Sequence, residues 1–234
     1  MKNNLVVFSG AGMSAESGIA TFRDSNGLWE NYKIEEVATP EAWERNPNLV
    51  TEFYNMRRKQ ILDTEPNEAH VYFAEIENEF NVQIVTQNID DLHERAGSKN
   101  VLHLHGQIIL AKSSNDKYKE LYPIRGWELS DKDTCPNGFR LRPHVVWFGE
   151  DVPEYSKAIP LISSADVFIV LGTSLQVFPA AGLVEYASAK AVKIIVDPNV
   201  DDFQIPTDFI KLKASAVDAI PELEKILMSL GFIS

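Results

Sequence analysis

The 234-residue chain has a single cysteine, Cys135. That excludes an intramolecular disulfide and a cysteine-built metal centre, and it suits a reducing cytosol. Positive charge is also scarce: 22 Lys and Arg stand against 34 Asp and Glu, for a formal net charge of -12. A surface of that sign repels phosphate, so nucleic acid and anionic membranes are not expected partners. Long apolar runs are missing, and none approaches the roughly 18 residues of a membrane span. The N-terminal run at residues 5–8 is too short for a signal h-region and passes straight into a glycine loop. Repeats and low-complexity tracts are absent. The expectation is a soluble, unprocessed, cytoplasmic chain in which nothing demands more than a monomer. What the chain does have is core material. At 44% hydrophobic and 24% charged residues it can fill one generous domain, or one domain carrying a smaller module.

Four short β-branched runs, at 5–8, 82–86, 167–171 and 193–196, are bounded by polar or turn residues. Continuously apolar strands of this kind belong to a parallel sheet buried on both faces. Helical stretches at 67–79, 179–189 and 221–230 lie between and after them. The alternation predicts the α/β class, with a Rossmann-like doubly wound parallel sheet. Two regions break it: one around 20–63 with a polar helix near 50–62, and a turn-rich one at 109–142. We read these as insertions forming a small module. Residues 1–19, 64–108 and 143–234 are then the Rossmann-like domain, and 20–63 with 109–142 are the module.

Chemistry concentrates at the strand ends. Gly10-Ala11-Gly12-Met13-Ser14-Ala15 fits a G-x-G-x-x-G/A turn after a strand, where small residues and a helix N-terminus can admit a pyrophosphate. A dehydrogenase would need a second strand and an acid about 20 residues on; here that stretch is loop-like. Gln87-Asn88-Ile89-Asp90, Gly172-Thr173-Ser174 and Asp197-Pro198-Asn199 each follow another strand. Any one of them could be a helix cap. Four clusters on one sheet edge point to a single ligand groove. His103 and His105 alternate onto the same side of an extended segment, so spacing does not say which matters. Five histidines without partner cysteines do not make a metal set.

Assembled, these residues resemble the sirtuins, the NAD-dependent protein lysine deacylases, nearly end to end. The segment Gly10 to Ile19 with Thr21-Phe22-Arg23 resembles their signature and cofactor loop, which also takes in Trp29. Thr86-Gln87-Asn88-Ile89-Asp90-Asp91-Leu92-His93 with Ala96-Gly97 is similar to a second block, and Leu104-His105-Gly106 to the segment bearing the catalytic histidine. Val145-Val146-Trp147-Phe148-Gly149-Glu150 resembles the strip that pairs with substrate peptide, and Gly172 to Ala180 a fourth block. The resemblance implies NAD as co-substrate and acyl-lysine proteins as partners. Gly10, Ala11, Gly12, Ser14 and Ala15 would lie at the pyrophosphate. Asn88, Ile89 and Asp90 would hold nicotinamide, with Phe22 and Arg23 closing over it. Gln87 would orient the ribose, and Gly172, Thr173 and Ser174 would contact the cofactor. The acyl oxygen would attack the anomeric carbon as nicotinamide leaves, and His105 would act as general base on the ribose hydroxyls. Val146, Phe148 and Gly149 would contact the peptide.

Tyr54 and Arg57 are i and i+3 on the predicted helix and share a face. With Arg58 and Lys59 following, this could be a solvated basic helix. The pair also resembles that of class III sirtuins, where it binds the carboxylate of succinyl- or malonyl-lysine. The implied activity is desuccinylation and demalonylation, with deacetylation through the same channel. Two departures stand out. Between His105 and Val145 the zinc-ribbon cysteines are reduced to Cys135, with Asp131, Asp133 and His144 the other conceivable donors. We therefore expect no zinc, and a module held by apolar contacts of Tyr118, Leu121, Tyr122, Trp127 and Phe139. Asp197 replaces the usual Asn at the adenosine ribose, which would admit NAD and repel a 2′-phosphate; Asn199 and Ala216 complete that end. The alternatives are a mono-ADP-ribosyltransferase and a non-catalytic NAD or acyl-lysine sensor, with a dehydrogenase weakest.

Overall fold

All four apolar runs become strands and lie parallel in one sheet. The computed structural model describes residues 2–20, 32–202 and 205–233. Its strands are β1 (Asn4–Ser9), β2 (Asn81–Thr86), β3 (Val101–His103), β4 (Gly106–Ser113), β5 (Leu121–Pro123), β6 (Leu141–Val145), β7 (Val167–Leu171), β8 (Val192–Val196) and β9 (Phe209–Leu212). Its helices are α1 (Gly12–Ala15), α2 (Ile34–Val37), α3 (Pro40–Arg45), α4 (Pro47–Leu62), α5 (Glu68–Glu75), α6 (Leu92–Ala96), α7 (Tyr155–Ser163) and α8 (Ile220–Ser229). The main sheet runs β3-β2-β1-β7-β8-β9, parallel throughout. Alternation divides β1 between two cores: Leu5 and Val7 pack with Phe73, Leu223 and Leu227, while Val6 and Phe8 pack with Ala158, Ile162 and Leu183. Burial on both faces is why these strands read as unbroken apolar runs.

Strand order reverses between β1 and β7, and such a switch point opens a crevice beyond the strand ends. The two loops there touch backbone to backbone. A Cβ on Gly12 would lie 2.6 Å from Gly172 Cα, and one on Gly172, at φ +64, would lie 2.5 Å from the Met13 nitrogen. The glycines thus let two loops meet, a reason the motif did not state. Met13 and Ser14 N–H bond to Gly10 and Ala11 carbonyls, and α1 is a single turn, so its dipole is short.

Short elements escaped the sequence reading. Edge strands β3 and β9 have three and four residues, and α7 contains Pro160. The stretch expected as a helix at 179–189 is a 3₁₀ run, Ala180–Tyr186. The expected helix at 67–79 ends earlier, passing from α5 into a 3₁₀ turn at Ile76–Asn78.

The turn-rich insertion carries a second, antiparallel sheet, β5-β4-β6. Its core is Ala111, Leu129, Cys135 and Leu141, with Tyr122 and Ile124 against it. This corrects the expected contacts. Leu121, Trp127 and Phe139 are 45%, 43% and 38% exposed, and Tyr118 stacks with Phe139 at 5.5 Å. Of the expected five, Tyr122 alone packs on this core: alternation turns its neighbour Leu121 outward, and Tyr118, Trp127 and Phe139 lie in loops outside the strands. The helix read as polar is central to the module. On α4, Val50, Phe53, Tyr54 and Ile61 are buried against Ile108 and Val145. Arg58 is fully buried, donating from Nε to the Ile108 carbonyl (2.6 Å) and from Nη1 to Asn55 Oδ1 and the Trp127 carbonyl. A solvated basic helix is thereby ruled out.

Beneath the sheet, His70 is fully buried and meets His93 edge-on at 4.9 Å. Burial pushes His70 down to about 4. Its stabilising contribution is complete above the ordinary value near 6.5 and is lost as pH falls toward 4, because the unfolded chain takes up the proton first. That depression corresponds to about 3 kcal/mol. Thermal melts should show a steep loss of stability between pH 6.5 and 4, and His70→Gln should flatten it.

Candidate active site

Beyond the C-terminal ends of β1, β2, β7 and β8 lies a cavity of about 720 Å³. The β1 end contributes Gly10, Ala11, Gly12, Ser14 and Ala15, and the β2 end contributes Gln87, Asn88, Ile89 and Asp90. Gly172, Thr173 and Ser174 follow β7; Asp197 and Asn199 follow β8, with Ala216 beside them. The module supplies Tyr54 and Arg57 from α4, and Val146, Phe148 and Gly149 follow β6. His105 completes the set. Phe22, Arg23 and Trp29 lie outside the described residues.

Ser14 links the nicotinamide-side candidates. Asn88 Nδ2 donates to Ser14 Oγ at 3.1 Å, and Ser14 Oγ donates to Asp90 Oδ2 at 3.0 Å. Asp90 is 5% exposed. Burial pushes its carboxyl up, opposed by the Leu92 N–H (3.2 Å) and the Ser14 hydroxyl. Asn88 Oδ1 has no partner among the described residues and remains available to a ligand donor. Gln87 Nε2 donates to Thr173 Oγ1 at 3.0 Å, joining the β2 and β7 ends.

The structure separates the two histidines that spacing could not. His105 Nδ1 lies 2.9 Å from the Gln87 carbonyl. A carbonyl only accepts, so Nδ1 carries the hydrogen and Nε2 keeps a lone pair. Burial pushes His105 below the ordinary imidazole value, against the Gln87 carbonyl. A neutral base therefore lines the cavity. His103 is 7% exposed, does not line it, and has both ring nitrogens committed, Nδ1 to the Asn88 carbonyl and Nε2 to Glu94. Burial opposes its charge, but Glu94 prevails and raises it.

On α4, Tyr54 and Arg57 are 3% and 8% exposed. Burial pushes the Tyr54 hydroxyl up to about 12, with Arg57 opposing. Burial also lowers Arg57, opposed by Tyr54 and Asp90. A guanidinium held in so little water gains most from an anion.

The Sir2 family model matches residues 10–179. The chain belongs to the Sir2 family. It is 48% identical over 230 residues to an NAD-dependent protein deacylase of Bacteroides thetaiotaomicron, covering 96% of this chain and 98% of that one. It is 54% identical over 200 residues to one of Aggregatibacter actinomycetemcomitans, covering 85% and 95%. A Sir2 homologue solved with NAD superposes with a TM-score of 0.82 at 36% identity, covering 98% and 91%. A mutant Sir2 homologue solved with ADP-ribose gives 0.85 at 35%, covering 100% and 95%.

Several features of this Sir2 site had no sequence signal. Glu16 accepts from Ser215 Oγ (2.9 Å) and the Val217 N–H (2.8 Å), tying the glycine loop to the loop bearing Ala216. Asp197 Oδ1 accepts the Asn199 N–H at 2.8 Å. The strip after β6 is braced from behind. Glu150 takes both Arg142 Nη atoms at 2.8 and 3.0 Å and the Trp147 N–H at 2.8 Å, and Arg142 lies 3.2 Å from the Trp147 ring centroid. Val146 N–H pairs with the His105 carbonyl, so the base and the strip share a hydrogen bond. Glu150→Ala removes all three hydrogen bonds that Glu150 accepts and should raise KM for peptide by at least about tenfold, with KM for NAD unchanged in steady-state kinetics.

The candidate donors of the module are otherwise engaged or apart among the described residues. Cys135 is buried with its sulfur on Ser113 Oγ at 3.6 Å, and Asp133 caps Ser130 at 2.7 Å. No three His, Cys, Asp or Glu side chains converge among the described residues.

Proposed function

We propose that the chain removes succinyl, malonyl and acetyl groups from protein lysine side chains, consuming NAD and yielding nicotinamide and O-acyl-ADP-ribose. NAD-dependent protein deacylation follows from the family and from relatives of that name at 48% and 54% identity. The observation that carries the acyl preference is Arg57, buried with Tyr54 in the wall of the cavity that also holds His105. A bidentate cation in that position favours an acyl chain ending in a carboxylate.

The donor set suits NAD. Asp197, 8% exposed, has Oδ1 engaged by Asn199 and Oδ2 uncommitted among the described residues, an acceptor for a ribose diol and a repellent for a 2′-phosphate. The bound dinucleotide supplies the chemistry, a ribosyl carbon that becomes electrophilic as nicotinamide leaves. In this reading Asn88 and Asp90, bridged by Ser14, hold the carboxamide. Gly10, Ala11, Gly12 and Ala15 face the pyrophosphate, and Asn199, Ala216, Thr173 and Ser174 face the adenosine half. Gln87 orients the ribose. His105 Nε2 takes the ribose hydroxyl proton while Nδ1 stays on the Gln87 carbonyl. Val146, Phe148 and Gly149 pair with the substrate backbone, which leaves its sequence largely unread. Phe22, Arg23 and Trp29 complete the cofactor loop.

We assign NAD binding to 1–19, 64–108 and 143–234, and read 20–63 with 109–142 as a small module that carries the cofactor loop together with Tyr54 and Arg57. Strands β4 and β6 cross positions 108 and 142, so one antiparallel sheet bridges the two. No described helix is long and apolar enough to cross a membrane. We place the protein in the cytoplasm, on its single unpaired cysteine.

The test is nicotinamide release from NAD with matched acetyl- and succinyl-lysine peptides. Faster release with succinyl peptide is expected. Release favouring acetyl peptide would overturn the acyl preference, and none with either would overturn the deacylase reading.

A further inference from the structure

Asn88 is gripped at both backbone polar groups. Its N–H donates to Thr86 Oγ1 at 3.0 Å, and that oxygen also accepts the Ser9 hydroxyl at 2.9 Å. Its carbonyl accepts from His103 Nδ1 at 2.9 Å, and His103 Nε2 reaches Glu94 Oε1 at 2.7 Å. A carbonyl and a carboxylate both accept, so both ring nitrogens donate and the ring is locked between them. As core filling this is a poor solution, since a charged ring buried on His103's side of the pair loses its water and an apolar residue of equal volume would pack as well. What the pair provides is direction. It fixes the peptide plane that carries Asn88, whose side chain is one end of the bridge through Ser14 to Asp90.

We infer that His103, braced by Glu94, is a positioning residue for the nicotinamide pocket: its Nδ1–H holds the Asn88 carbonyl so that the Asn88 amide faces the departing group. The inference rests on Asn88 contacting nicotinamide. Glu94 aims the ring, its side chain about a third exposed. Gln107 Nε2, at 3.4 Å, remains a second donor to it.

Two near-isosteres separate positioning from packing. Asn at 103 places its amide nitrogen where Nδ1 was, keeping the Asn88 bond and losing Glu94. Gln places it where Nε2 was, keeping Glu94 and losing Asn88. Each variant, with wild type, is assayed for kcat of nicotinamide release, KM for peptide and the nicotinamide concentration giving half inhibition. His103→Asn should stay within about threefold of wild type, the range left by a conserved hydrogen bond. His103→Gln should lower kcat and raise the inhibitory concentration about tenfold each, with KM for peptide unmoved. Any other order, including two equal variants, overturns the inference. If His103→Gln fails to melt cooperatively, Glu94→Gln decides: it keeps an acceptor for Nε2 and removes the charge. Nicotinamide inhibition within about threefold of wild type supports positioning through Asn88, and a tenfold loss shows that the ion pair itself matters. Wild type without acyl-lysine-dependent release would sink the functional reading and the inference together. An active wild type with the variant order reversed sinks the inference alone.

Discussion

His105→Ala is expected to lower acyl-lysine-dependent turnover about 10³-fold, within the range a positioned general base supplies, while NAD still binds. The expectation follows from hydrogen-bond directions. Nδ1 donates to the Gln87 carbonyl, so Nε2 is the free base, and burial keeps the ring neutral at physiological pH. The same facts fix the pH dependence. A base works only deprotonated, so activity is lost as pH falls through the His105 value, which lies below that of an ordinary imidazole. The acid limb of kcat/KM should therefore fall below pH 6.5 and disappear in His105→Ala. Isothermal titration of NAD into the variant checks the binding half. Full turnover in the variant would remove His105 from the mechanism.

Arg57→Met should produce the second large effect, selective for the acyl group. Truncating one partner of a buried, hydrogen-bonded charge pair costs about 2–5 kcal/mol, so kcat/KM for succinyl-lysine peptide should fall at least about 30-fold. Acetyl-lysine has no carboxylate to lose, and its kcat/KM should stay within about threefold of wild type. Methionine keeps most of the buried stem volume, so the change tests charge rather than packing. Competition between the two peptides in one reaction reads the ratio directly. An unchanged ratio would make Tyr54 and Arg57 a structural pair.

His105 and Arg57 took their roles from the family resemblance, whereas the strand-end clusters around them could be read directly, and the reason is local. Gly10 to Ala15, Gln87 to Asp90 and Gly172 to Ser174 are continuous turns at the ends of buried strands, so each cluster is visible as a string and the parallel sheet gathers them. Residues that act through distant partners were not legible. Nothing in the spacing ties Glu16 to Ser215, or Arg142 to the strip through Glu150. Spacing left His103 and His105 equal and the resemblance singled out His105; the geometry separates them because consecutive carbonyls, of Gln87 and Asn88, take one ring each.

The fold shows the same division. Strands buried on both faces were evident, whereas β3 and β9 are short edges and β4–β6 are amphipathic strands in polar sequence. Arg58 kept the solvated-helix alternative open, since charge in sequence signals solvent unless the backbone carbonyls that satisfy it are known. Leu121, Trp127 and Phe139 misled in the opposite sense: Leu121 lies on the outward face of a three-residue edge strand, and Trp127 and Phe139 lie in connecting loops, all three exposed.

The central claim is that acyl transfer to NAD-derived ribose, not hydrolysis, frees the lysine. Mass analysis of one reaction holding NAD, succinyl-lysine peptide and the wild-type protein tests it. Free peptide, nicotinamide and O-succinyl-ADP-ribose are expected in equal amounts. Free succinate with NAD intact, or ADP-ribose attached to the peptide, would contradict it.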